Sequence, residues 1–170
     1  MRVTTTLKAS AVGLFCLMST ACLAREAAVP TAVSLAGTWT LVAADVIHAD
    51  GTRARDYGAA PRGLLMIDAQ GHYSLQIFKA ERPHFSSGEK ATGTSAEFEA
   101  AVLGSSTHFG TIEVDPVSST LTFRIESASF PNWEGVPQKR RYELTGGEMS
   151  YRVAARPDGN TPVSIWRRLQ

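Results

Sequence analysis

Thr120-Leu121-Thr122-Phe123-Arg124-Ile125-Glu126-Ser127 is the stretch that decides the fold. Leu121, Phe123 and Ile125 alternate with Thr122, Arg124 and Glu126, the period-two pattern of a strand with one face buried and one wet. The favoured phase puts the apolar face in the lumen; the opposite phase would turn Arg124 and Glu126 inward. Before this strand, Asp115-Pro116 marks a turn and His108 to Val114 a strand. After it, Gln138 to Leu144 and Glu148 to Ala154 flank Thr145-Gly146-Gly147. Val163 to Leu169 follows the loop Arg156-Pro157-Asp158-Gly159-Asn160. Upstream, Gly63 to Asp68 and His72 to Lys79 form a hairpin across Ala69-Gln70-Gly71, and Gly37 to His48 runs to the turn dipeptide Asp50-Gly51. These are eight strands joined mostly by short turns. The fold expected is all-β, an eight-stranded antiparallel up-and-down barrel, because closure removes exposed edges. A barrel of eight strands is just wide enough for side chains or one small ligand.

The 170-residue chain has 44% hydrophobic and 19% charged residues, an ordinary globular composition. Arg2 and Lys8 precede an uncharged apolar or small stretch from Ala9 to Ala24. That stretch is shorter than the roughly 20 residues of a membrane span and reads as a secretory signal peptide over residues 1–24, cleaved near 21–24. A leader (25–33) and a barrel domain (34–170) follow. Two cleavage modes stay open: a cut after Ala24, or lipidation of Cys22 within Ser19-Thr20-Ala21-Cys22. The protein is expected to be exported, periplasmic or secreted, or anchored to the outer membrane through Cys22. Either way Cys16 is removed and Cys22 lost or acylated, so no thiol remains for a disulfide. The net charge of +1 loses two cations with the signal peptide and becomes −1. No broad basic face for nucleic acid is expected, and no membrane span.

Ala80 to Ser106 separates the third and fourth expected strands by about 27 residues, far more than a hairpin needs. Thr94-Ser95-Ala96-Glu97 is a capping box, predicting one short helix in this insertion between strands 3 and 4, with Phe98, Ala101 and Val102 on one face. The insertion reads either as a lid over one barrel end or as a plug.

Gly37-Thr38-Trp39 at the start of the first strand resembles the G-x-W signature of the calycin superfamily, which includes lipocalins and fatty-acid-binding proteins. The resemblance implies that Trp39 closes one barrel end with an arginine of the last strand across it. Gly37, Trp39, Arg167 and Arg168 are therefore assigned a structural role. Phe130-Pro131-Asn132-Trp133-Glu134-Gly135-Val136-Pro137-Gln138-Lys139-Arg140, with Tyr57-Gly58 and Pro61-Arg62-Gly63, is more specific. It resembles the bacterial and fungal lipocalin-like domain family, whose motif here is carried by Pro131, Asn132, Trp133, Gly135, Gln138 and Arg140. The likeness spans roughly residues 34–170. It implies the barrel, with Phe130 to Gln138 as either a preformed pocket wall or a self-packed corner.

His48, His72, His84 and His108 stand at no metal-ligand spacing to one another or to cysteine, so no metal is expected. His72 and His108 fall at strand starts and read as solvent-facing or hydrogen-bonded ends. No phosphate-cradling loop, dinucleotide fingerprint or nucleophile motif is present, and no cofactor is expected. The leading functional expectation is a barrel binding or carrying a small apolar or amphipathic molecule. Its lining would come from Tyr73, Leu75, Phe123 and Tyr142, with Phe130, Trp133 and His84 nearer the mouth. Two alternatives stand beside it: an isomerase- or cyclase-type enzyme acting on an apolar substrate in the barrel, and a structural envelope lipoprotein with a filled barrel.

Overall fold

The computed structural model describes Met1 and residues 34–170; residues 2–24 of the expected signal peptide, Cys22 among them, and the leader (25–33) lie outside the described residues. The alternation around Phe123 resolves in favour of an apolar lumen. In β6 (Thr120–Ala128), Leu121, Phe123 and Ile125 are buried while Arg124 and Glu126 are exposed. Arg124 lies on the outer face, its Nε 2.9 Å from Glu113 Oε1 on β5 (Ser105–Asp115).

The remaining strands are β1 (Gly37–Ile47), the two-residue β2 (Arg53–Ala54), β3 (Arg62–Ile67), β4 (His72–Phe78), β7 (Pro137–Thr145), β8 (Glu148–Arg152) and β9 (Thr161–Arg168). They form one antiparallel sheet in the order β2-β1-β3-β4-β5-β6-β7-β8-β9, and β1 also pairs with β9. Eight long strands therefore close into a barrel, with β2 as an extra ribbon against the end of β1. This extra strand corrects the expected position of the helix. α1 (Ser95–Leu103) lies between β4 and β5, not between strands 3 and 4, because the connection after Asp50-Gly51 folds back on β1 instead of crossing directly to the next strand. The capping box is formed: Thr94 Oγ1 accepts from the Glu97 amide, and Glu97 Oε2 accepts from the Thr94 amide at 2.7 Å. Among the described residues no helix is long and apolar enough to cross a membrane.

The two ends of the barrel differ in their connections. One end carries the tight turns between β3 and β4, β5 and β6, and β7 and β8. Trp39 and Trp166 are fully buried here. Trp39 Nε1 donates to the Leu35 carbonyl at 3.0 Å, and the Arg168 guanidinium lies 4.3 Å from the Trp39 ring centre. Arg168 also donates through Nη1 to the Ala36 carbonyl (2.7 Å) and through Nη2 to the Ser34 carbonyl (2.8 Å). Arg167 takes the outward face of β9 and pairs with Glu148 at 3.3 Å. Gly37 turns into β1 at φ +135°, a value that L side chains rarely adopt. The other end carries the long connections 48–61, 79–104, 129–136 and 153–160.

A core of Trp39, Leu65, Leu75, Leu121, Phe123, Met149, Tyr151 and Trp166 fills the barrel from the sealed end upward. β5 begins at Ser105, three residues before the sequence pattern suggests, so His108 falls inside the strand and is buried. Just beyond it the register shifts between Phe109 and Gly110. Gly110 sits at φ +154°, and a Cβ there would run into the Arg124 carbonyl, so only glycine fits this bulge.

Candidate ligand-binding site

Alternate residues of the strands that run toward the loop end converge on a recess of about 230 Å³. Leu75 and Ile77 come from β4, Ser106 and His108 from β5, Gln138 and Arg140 from β7, Tyr151 from β8 and Val163 from β9. Tyr57 and Trp133 reach in from the connecting loops. Trp133 is held by a 3₁₀ turn, Pro131–Trp133, whose amides bond back to Phe130 and Pro131. Glu134 secures the same loop by accepting from the Ala128 amide and the Ser127 hydroxyl at 2.9 and 3.0 Å. The loop is thus both a self-packed corner and one wall of the recess.

The polar floor is a cluster of His108, Tyr73, Arg140 and Gln138. The Tyr73 hydroxyl and His108 Nδ1 are 2.8 Å apart, and their rings meet edge to face. Burial, helped by the nearby Arg140 charge, pushes the His108 pKa down to about 3, so the ring is neutral at ordinary pH. Burial pushes the Tyr73 phenol up. If Tyr73 donates to Nδ1, the hydrogen of the neutral ring sits on Nε2 and is available to a ligand. The Arg140 guanidinium lies 4.0 Å from the centre of the Phe123 ring and 5.0 Å from that of Tyr151. Its Nη2 donates to Gln138 Oε1 at 2.9 Å, whereas its buried Nε has no partner among the described residues. At the rim, Asp45 is paired with Arg53 at 2.7 Å. Burial, followed by the Asp56 charge, raises the Tyr57 phenol.

The residues expected at the site divide. Leu75 and Trp133 line the recess. Tyr73 and Phe123 lie one layer deeper, beneath His108 and Arg140, and Tyr142 is buried in the core. Phe130 is exposed and packs edge-on against Trp133 at 5.4 Å. His84 lines a separate open recess, shared with Arg62, Phe78, Arg82 and Phe85. None of the α1 residues reaches the His108 recess, and none is fully buried, so the helix is neither its lid nor a plug. Of the motif residues, Trp133, Gln138 and Arg140 reach the recess; Pro131, Asn132 and Gly135 shape the loop.

Sequence reading placed Arg140 in the family motif but not in the lining, and missed His108 as a site residue. Arg140 shares strand parity with Tyr142, already placed inward, and His108 shares parity with Ile112. Following period two through a charged residue would have found both.

Chemically, this is a chamber of mixed lining: Leu75, Ile77, Trp133 and Val163 give apolar wall, Asp45, Asp56, Arg156, Ser106 and Ser164 add polar groups, and a fixed cation with neutral hydrogen-bonding groups forms the floor. Arginine stays protonated throughout the physiological range, so Arg140 holds charge without moving protons. His108, held neutral down to about pH 3, is a poor general base at neutrality. Among the described residues no three His, Cys, Asp or Glu side chains cluster as a metal site.

A closed barrel, packed solid at one end and hollow under long loops at the other, defines a class of small antiparallel barrels with the geometry of ligand chambers. The chain belongs to the lipocalin-like domain family, whose model matches residues 36–169. No curated protein matches it. Among solved structures it is similar to a lipocalin-like protein from Bacteroides uniformis ATCC 8492, at 17% identity and a TM-score of 0.41, over 79% of this chain and 98% of that one. It is also similar to two variants of the fluorescent protein UnaG, at 13% and 16% identity and TM-scores of 0.35 and 0.36. Those matches cover 79% and 80% of this chain and 95% and 96% of theirs.

Proposed function

We propose that this protein is an exported binding or carrier protein that takes a small amphipathic molecule into the recess at the loop end of its barrel. The observation that carries the reading is a recess of about 230 Å³ in which apolar side chains (Leu75, Ile77, Trp133 and Val163) face convergent polar ones, His108, Gln138 and Arg140 among them. A recess that joins apolar wall to convergent polar groups is the form expected of a small-ligand site. The volume is below the roughly 300 Å³ at the lower end of drug-sized sites, so the occupant is compact. Export rests on the charged start and apolar stretch of residues 1–24. Detergent partitioning of wild type against Cys22→Ser tests the anchor: a shift from the detergent to the aqueous phase supports lipidation, and unchanged partitioning rejects it.

The uncharged fluorophore N-phenyl-1-naphthylamine tests the chamber. Saturable fluorescence enhancement by wild type, lost in Val153→Trp, which fills the mouth from its rim, is the expected result. Equal enhancement by both proteins, or none by wild type, overturns the reading.

A further inference from the structure

Arg140 stands out among the arginines of this barrel. It is only 6% exposed, the most deeply buried charged side chain of the described residues. The ion pairs among those residues are Arg53–Asp45, His72–Asp68, Arg124–Glu113 and Arg167–Glu148; none involves Arg140. Of the five N–H donors of its guanidinium, one is engaged, by Gln138, while Nε is buried without a partner. A cation removed from water without a counter-ion is a costly arrangement that proteins keep only when something compensates it. Aromatic stacking on Phe123 and Tyr151 holds the guanidinium plane in place, but it does not neutralise the charge or use the in-plane donors.

The acids around the chamber do not reach it. Asp45 is taken by Arg53, and neither Asp45 nor Asp56 comes within ion-pair distance of Arg140. Across the chamber, Arg156 adds a second cation at the rim beside Asp56. The interior charge is therefore one uncompensated positive charge at the floor. Next to it His108 offers its remaining ring nitrogen, which no described residue engages.

We infer that the chamber selects a compact organic monocarboxylate, its carboxylate bound by Arg140 beside His108 and its apolar body against Leu75, Ile77, Trp133 and Tyr151. A planar guanidinium fork matches a carboxylate, and a single buried cation balances one negative charge, not the nearly two of a phosphate monoester. The space, about eight water molecules' share of liquid volume, exceeds what an inorganic anion needs. Apolar walls require an organic body to cover them. This inference rests on the chamber being a ligand site, and its test separates the two.

Isothermal titration of wild type with 2-naphthoate and octanoate against 2-naphthamide and octanamide compares acids with neutral isosteres. 2-Naphthyl phosphate serves as the dianionic arm. The acids are expected to bind at least about tenfold more tightly than the amides and more tightly than the phosphate. Arg140→Met, which keeps much of the side-chain volume, is expected to abolish the preference of acids over amides; Arg140→Lys should retain part of it. Equal binding of acids and amides by wild type, a preference that survives Arg140→Met, or tighter binding of the phosphate overturns the carboxylate assignment. So does failure of all the acids, while saturable N-phenyl-1-naphthylamine binding would leave the carrier reading standing; its failure as well takes both. The wild-type comparison needs no variant, so misfolding of Arg140→Met does not shelter the proposal.

Discussion

The two ends of this barrel each lay an arginine on an aromatic ring, and the two arginines are in opposite states. At the sealed end Arg168 stacks on Trp39 at 4.3 Å and gives two hydrogen bonds to the carbonyls of Ala36 and Ser34. At the loop end Arg140 stacks on Phe123 at 4.0 Å, gives one bond to Gln138 and keeps a buried Nε without a partner among the described residues. The ring contacts are alike; the difference lies in what meets the guanidinium edge. Arg168 completes a closure, using its donors on the chain that enters β1. Arg140 presents donors to a space. Arg168 is partly open to solvent and spends two donors on the chain, whereas Arg140 is buried and spends one.

The contrast can be broken first at the sealed end. Trp39→Ala removes one of the two largest fully buried side chains of that end and is expected to cost about 3–5 kcal/mol, read by urea denaturation; a loss under 1 kcal/mol would mean that the end is not held by this residue. Arg168→Met should cost about 2 kcal/mol, through the lost stack and two lost bonds. The midpoint of unfolding measures it.

At the loop end the neutral His108 predicts a pH dependence. Its folded pKa, about 3, lies below the ordinary histidine value of 6.5, so between these values the unfolded state binds the extra proton. Stability should therefore fall on acidification from about pH 6, approaching about 1.4 kcal/mol per pH unit. His108→Gln should flatten that slope between pH 6 and 5. The carboxylates held low by their hydrogen bonds, Glu97, Glu113 and Asp115 among them, add a similar trend only below about pH 4.5. An unchanged slope in the variant would place the lost protonation elsewhere.

The smallest expected effect is the sharpest. Arg140→Met should leave the ligand-free protein within about 1 kcal/mol of wild type, or more stable, because it removes a buried charge without a counter-ion. If it destabilises the protein more than Arg168→Met does, Arg140 is a structural residue and the difference between the ends disappears.

Much of the barrel was legible before any coordinates. Leu121, Phe123 and Ile125 announce a buried face, and Thr94 with Glu97 announces the helix start, because each signal is local: one alternation, one reciprocal pair of bonds. The short β2 was not legible, since two residues carry no period and pair only because the loop folds back on β1. The site was legible in part. Leu75 and Trp133 were among the expected lining residues; Tyr73, Phe123 and Tyr142 share the inward face but lie deeper in the core. Alternation assigns a face and is silent about depth along the barrel axis.

By itself the sequence determined the strands, their inward faces and the capped helix, since these follow from side-chain period and backbone capping over a few residues. Tertiary structure alone decided which end is hollow and that His108 and Arg140, on β5 and β7, meet at the chamber floor. They flank the same strand, β6, and pair with positions far apart on it, Ala128 and Leu121, yet both side chains close on the Phe123 ring, His108 at 5.8 Å and Arg140 at 4.0 Å.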